Sequence, residues 1–310
     1  MNLSANLSAS LCATTLAPSN RYLASAAVYG VVLAVGLPLN TLSLWILLRT
    51  HGFRSPCAVL MVNLAVSDLL LALSLPLRVY FYATLRWPFG TATCTAALML
   101  FRVNIRTSCI FITLISVDRM VALALPMRSR SLRTSGCALK CCAVVWILVT
   151  VLCIPEIRLL YKGLTGCENI PCFEMQASRG RSQVVSLAQA IFLLVLLLVN
   201  VVSTVVVVIV LRKRPSDGAA KVNNKMNVIL IFVVNMLVFI IFFLPFTLQL
   251  LTFNYNNNSE VIRALVCLAS VNCCLDPLIY YFSLDSFWQD KGKRQTDVGT
   301  YSLSRSMERS

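Results

Sequence analysis

Seven long apolar runs constrain this chain more than any other feature. They extend roughly over Ala24–Leu48, Cys57–Phe81, Thr95–Val121, Leu139–Ile157, Val184–Leu211, Val228–Leu251 and Val261–Phe282. A helix needs about 20 mainly apolar residues to cross a bilayer core. Inside lipid a backbone N–H or C=O finds no water, so each segment must satisfy its own hydrogen bonds. That predicts helices throughout, even for Val201–Val210, whose valines would favour a strand in water. The expected fold is an all-α membrane protein, a seven-transmembrane helix bundle over residues 24–282. An N-terminal segment (1–23) precedes it, and a short juxtamembrane helix and tail (283–310) follow.

Composition agrees. The chain is 58% hydrophobic and 13% charged, whereas a soluble domain carries about 25% charge. A net charge of +15 raises the question of nucleic acid, and the placement of the charge answers it. Basic residues gather after span one (Arg49, Arg54), span three (Arg128, Arg130, Arg133) and span five (Arg212, Lys213, Arg214, Lys221, Lys225), and again in the tail (Lys291, Lys293, Arg294). These are alternate loops, which the excess of Lys and Arg on cytoplasmic loops assigns to the cytoplasm. The N-terminus is then extracellular, with span one serving as the insertion signal. Acceptor sequons at Asn2, Asn6 and Asn257 all fall on that outer side, where glycosylation occurs. Of 13 cysteines most lie inside spans, as small buried apolar residues. Cys12, Cys94, Cys167 and Cys172 lie outside or at the outer rim, and two bridges among them allow three pairings.

Ionisable residues within the spans are expensive and mark function. Asp68 is a lone carboxylate near the middle of span two, and Asp276 lies inside span seven, next to Pro277. Each is either a neutral hydrogen-bonded acid or part of a cation site, and two neighbouring acids can share a proton. Arg102 and Arg106 are four apart on span three and so share a helix face. Arg78 follows Pro76 near the outer end of span two, and Arg263 opens span seven. Snorkelling to the interface accounts for Arg86 and serves equally well for Arg263. It fails for Arg106, about three turns into its helix. Guanidinium forks suit phosphate or carboxylate. No acid stands in the outer half of span three, where a protonated amine would need one. An anionic ligand is therefore expected, at Arg78, Arg102, Arg106 and Arg263, with Phe243 and Phe246 and the apolar face of span five lining a tail path.

Several short motifs occur in order: Gly36-Leu37-Pro38-Leu39-Asn40, Asn63-Leu64-Ala65-Val66-Ser67-Asp68, Asp118-Arg119-Met120, Trp146 with Pro155, Phe239 to Phe246 around Pro245, and Asn272-Cys273-Cys274-Leu275-Asp276-Pro277-Leu278-Ile279-Tyr280. Together they resemble the rhodopsin-like (class A) G-protein-coupled receptors. The runs Val28 to Asn40, Ser74 to Tyr82 and Arg86-Trp87-Pro88-Phe89 are most similar to the non-Edg lysophosphatidic acid receptors of the purinergic-related branch. The resemblance implies a receptor that binds an extracellular anionic ligand, such as lysophosphatidic acid, and activates heterotrimeric G proteins. It implies a bridge between Cys94 and Cys172, leaving Cys12 and Cys167 as a second pair. It implies a sodium site at Asp68, Asn104, Ser108, Asn272 and Asp276, with no other cofactor. It also implies a switch built on Asp118, Arg119, Asp276, Pro277 and Tyr280, in which Asp118 holds Arg119 until span six swings out. Phe239 and Phe243 form the movable plug under the ligand, and tail hydroxyls at Thr296, Thr300, Ser302, Ser304 and Ser306 can recruit arrestin once phosphorylated.

The chain departs from that pattern in four places. Met120 replaces the usual aromatic, Lys225 stands where an acid would form a second latch, and Leu197 takes the place of a span-five proline. Ile105-Arg106-Thr107 puts an extra charge under the pocket. Nucleotide, other lipid and carboxylate ligands stay open, since the branch shares these motifs. The outer part of span six, Phe246 to Leu250, holds no base and favours lipid over nucleotide. A membrane transporter would show internal duplication and broken helices in matching halves, and an intramembrane enzyme a nucleophile with its base. Neither pattern is visible.

Overall fold

The computed structural model describes residues 18–125, 133–165, 167, 170–174, 181–213, 219–251 and 260–277. Eight helices succeed one another: α1 Asn20–Ile46, α2 Pro56–Thr84, α3 Gly90–Ala124, α4 Ser135–Leu164, α5 Arg181–Lys213, α6 Ala219–Val238, α7 Leu244–Leu251 and α8, residues 260–277. Short π-helical turns, Leu47–His51 and Phe239–Phe243, follow α1 and join α6 to α7. Helix starts are where side-chain oxygens allow them. Ser19, Ser55 and Thr134 accept from Arg21, Ala58 and Cys137 amides, filling orphan donors of the first turns. Pro56 begins α2, where its missing N–H is harmless. Six helical segments are long and apolar enough to cross a membrane. The seventh span is represented by α8, which carries Glu260, Arg263 and Asp276.

Span three is central. α3 packs on α2, α4 and α5, while α1 packs on α2, and α5 meets α6 and α7. The faces turned away from these contacts are apolar and exposed: Val144, Ile147, Leu148, Val151 and Leu152 on α4, and Val195, Leu198, Val202 and Val205 on α5. Such rows are a liability in water and suit acyl chains. The lower halves of α1 and α8 approach closely. A Cβ on Gly36 would stand 3.0 Å from Cys273 Sγ, and Asn40 donates to the Cys273 carbonyl at 2.7 Å. The indole of Trp146 on α4 donates to Asn63 on α2 at 2.9 Å.

Pro245 cannot donate to its helix. The turn before it widens, the Leu244 amide bonding the Phe239 carbonyl five residues back. The widened turn carries Phe239 and Phe243, both buried, with ring centroids 5.4 Å apart. In α5, where Leu197 stands, the helix runs unbroken from Arg181 to Lys213. Asn2, Asn6, Cys12, Asn257 and Tyr280 lie outside the described residues, as do the tail and the juxtamembrane helix.

Candidate functional site

The outer chamber is built by a bridge and a turn. Cys94, in the second turn of α3, is joined to Cys172 as expected. Backbone bonds from Cys172 to Ile170 and from Glu174 to Pro171 tighten the loop there. Phe173 and Glu174 are thereby held over the ends of the helices. Leu85 closes α2 in the left-handed region (φ 54°), a conformation that costs a non-glycine residue about 1 kcal/mol or more. The chain then turns so that Trp87 packs edge-on against Phe81 and Phe173.

Arg78 lies at the centre of this aromatic shell and is 2% exposed. Its guanidinium carbon sits 4.5 Å from the ring centre of Phe173, 4.6 Å from Phe101 and 5.4 Å from Tyr29. Ring faces attract cations, which explains how the charge is tolerated. They do not neutralise it. Among the described residues no carboxylate pairs with Arg78, and its Nε has no hydrogen-bond partner. The Tyr29 hydroxyl beside it is also buried without a partner. Tyr22, Tyr82 and Tyr29 form a stacked wall, with centroids 6.3 and 5.6 Å apart.

Arg263 stands on the other side of that wall, its guanidinium 4.4 Å from the Tyr22 ring centre. It neither snorkels nor waits unpaired: it donates to Glu174 at 3.0 Å, and Tyr82 donates to the same oxygen at 3.2 Å. Burial pushes the Glu174 carboxyl above its ordinary value, against the opposing pull of Arg263. In the sequence Glu174 is visible only as the neighbour of Cys172; its service to Arg263 is a product of the loop.

Arg102 and Arg106 require a correction. They were expected to meet an external anion, yet an acid of the chain already answers both. Glu156, in the outer part of α4, receives Arg102 Nη1 at 2.9 Å on one oxygen and Arg106 Nη2 on the other. Arg106 also reaches Cys153 Sγ at 3.1 Å and Gln189 of α5 at 3.4 Å. The triad ties α3 to α4, and the contact with Gln189 adds α5. Arg106 and Glu156 are buried, whereas the Arg102 side chain is 41% exposed. Glu156 escapes sequence reading because an acid near the end of an apolar run looks interfacial. Two arginines four apart with no acid in the outer half of their own helix were the available signal.

Below, Phe243 is buried and Phe246 half-buried in the main core. Deeper still, Asn104 donates to Asp68 Oδ1 at 3.0 Å and Ser108 to the same atom at 3.4 Å. Asn272 donates to Asp276 at 3.0 Å. Among the described residues Asp68 Oδ2, Asp276 Oδ1 and Asn272 Oδ1 are buried without hydrogen-bond partners. Such a set of oxygens fits a hard cation. Among the described residues no group of three or more His, Cys, Asp or Glu side chains offers a metal site of another kind.

The cytoplasmic end holds a second correction. Asp118 does not hold Arg119. Both its oxygens accept from Arg133, just before α4, Nε and Nη2 each at 2.7 Å. Arg119 Nε is buried without a hydrogen-bond partner among the described residues. A two-pronged guanidinium–carboxylate pair outcompetes the cramped contact open to adjacent residues of one helix. Met120 packs on a small core of Val207, Leu211 and Phe232.

Comparison with known proteins fits this geometry. Residues 39–280 match the family model for 7 transmembrane receptors (rhodopsin family). Lysophosphatidic acid receptor 5 of Mus musculus is 34% identical over 279 residues, 84% of this chain and 74% of the relative. Lysophosphatidic acid receptor 4 of Homo sapiens is 33% identical over 287 residues, 87% and 76% of the two chains. The human S-geranylgeranyl-glutathione receptor is 31% identical over 273 residues, 84% and 76%.

Proposed function

Because the chain belongs to the rhodopsin family of seven-transmembrane receptors, we propose that its ligand is an anionic lipid of the lysophosphatidic acid class. The reading rests on Arg78, a cation buried among ring faces with no carboxylate among the described residues to pair with. A phosphate there gains charge-assisted bonds and the Tyr29 hydroxyl, and it removes the burden of an unpaired buried charge. Arg263 and Arg102 stand by as secondary cations, each still sharing an acid. Relatives named for lysophosphatidic acid and for S-geranylgeranyl-glutathione respond to molecules that join an anionic head to a long apolar chain. That shared chemistry suits a polar chamber inside an apolar bundle.

The receptor sits in the plasma membrane, N-terminus outside. Ligand binding favours one of two bundle states, and the inner face of that state, with Arg119, engages a heterotrimeric G protein. Arrestin follows phosphorylation of the tail. Asp68, Asn104, Ser108, Asn272 and Asp276 would hold sodium, whose charge would offset those of the two buried carboxyls. Bound there, the ion would stabilise the resting bundle.

The test uses purified receptor in lipid nanodiscs with G protein. Lysophosphatidic acid is expected to accelerate guanine-nucleotide exchange in wild type and not in Arg78→Met, while adenine and uracil nucleotides do nothing. Exchange driven by a nucleotide and unchanged in Arg78→Met would overturn the lipid reading.

A further inference from the structure

The Asp118–Arg133 pair assigns a task to a residue outside the expected switch. Asp118 has two acceptor oxygens, and Arg133 fills both, at 2.7 Å each. The pair is only partly open to water: the side chains of Asp118 and Arg133 are 10% and 25% exposed. Arg119, the next residue along α3, keeps a buried Nε with no hydrogen-bond partner among the described residues. On α2 the Arg119 side chain meets the Cys57 thiol, a weak hydrogen-bonding partner. Span six has Lys225 where an acid would be needed to hold Arg119 from the other side.

From these contacts we infer that Arg133 is a positioning residue for G-protein coupling: by occupying Asp118 it keeps Arg119 out of the grip of its own neighbour. The consequence is a receptor whose resting restraint on Arg119 is light. In the expected arrangement the Asp118–Arg119 pair must break before Arg119 can meet a G protein. Here the acid is already engaged across the second cytoplasmic connection, and that step is absent. Without Arg133, Asp118 turns to the nearest remaining cation, which is Arg119. Removing a positive charge from the cytoplasmic surface therefore restrains coupling by an indirect route. A lysine at position 133 restores only part of the effect, because one ammonium cannot fill both oxygens in a single plane.

The inference rests on the G-protein reading above, and the experiment separates the two. Full-length receptor in nanodiscs is mixed with heterotrimeric G protein without ligand, and basal nucleotide exchange is measured per folded receptor, counted by an extracellular epitope. Arg133→Ala is expected to lower basal exchange about fivefold, the factor a partly exposed ion pair commands. Arg133→Lys falls between. In an Asp118→Asn background, which has no acid to seize Arg119, Arg133→Ala is expected to change nothing. An equal loss in both backgrounds would mean that Arg133 touches the G protein directly, and would overturn the inference. So would a rise in basal exchange with Arg133→Ala, which would make the pair a resting lock. If wild type accelerates exchange on no G protein, even with lysophosphatidic acid, the receptor reading itself fails. If wild type is active and all four variants exchange as it does, only the role of Arg133 fails.

Discussion

Arg78 on α2 and Arg106 on α3 are both almost wholly buried, and the chain treats them in opposite ways. Arg106 is surrounded by partners: Glu156, Cys153 and Gln189. Arg78 is surrounded by ring faces, which soften its charge without cancelling it. A paired charge costs desolvation and returns geometry, so it joins helices. A charge left unpaired keeps its attraction for something from outside. On the proposed reading the difference separates architecture from recognition, although in sequence the two residues look alike.

Removing the acid of the paired cluster should have the largest effect. Glu156→Ala leaves two arginines facing each other in an apolar setting, a loss of about 3–5 kcal/mol. Surface abundance and the thermal midpoint of purified receptor should both collapse; a well-expressed, stable Glu156→Ala would erase the distinction. Arg78→Met should do the reverse. Thermal stability stays level or rises, because an unpaired buried charge is gone. Affinity for lysophosphatidic acid falls by about 2–3 kcal/mol, roughly 100-fold, as read by ligand competition. Loss of folding with Arg78→Met would place it in the architectural class.

Phe173→Leu sharpens the contrast. It removes the nearest ring from Arg78 and should cost about 1 kcal/mol in unfolding experiments, with no effect on an Arg106→Met background beyond simple addition. The smallest effect concerns pH. Glu174 has a folded value above its ordinary one, so the fold binds a proton more readily than the unfolded chain. The stabilising contribution is complete below the ordinary glutamate value and is lost as pH rises through the raised one. Thermal midpoints of wild type should therefore rise on acidification through that window, and Glu174→Gln should flatten this part of the profile. Identical profiles would remove Glu174 from the account.

The Cys94–Cys172 bridge came from the family resemblance, since the residues alone allowed three pairings, whereas the spans and their order were legible in the sequence because length and hydropathy act along the chain. Arg78 was legible for the same reason: a charge inside an apolar run needs an explanation wherever it points. The partners were not. Glu156 meets Arg106 across 50 positions, and Glu174 meets Arg263 across 89. Such pairings depend on how helices lean together, which helical periodicity does not encode. Arg133 was visible only as one more base in a cytoplasmic cluster. Its claim on Asp118 arises from the approach of α4 to the end of α3. The Asp68 group fell between these cases, since the motifs implied which residues gather and the bundle supplied the hydrogen bonds.

The ring-lined seat of Arg78 also bears on how much receptor a cell can display. A protein that folds around an unpaired charge leaves the ribosome less stable than it will be once an anion arrives. Binding to the folded form alone raises stability with ligand concentration. Quality control in the secretory pathway would thus sort this receptor partly by lipid supply. Anionic amphiphiles that signal at the surface would also act earlier, as folding aids that set the number of copies arriving there.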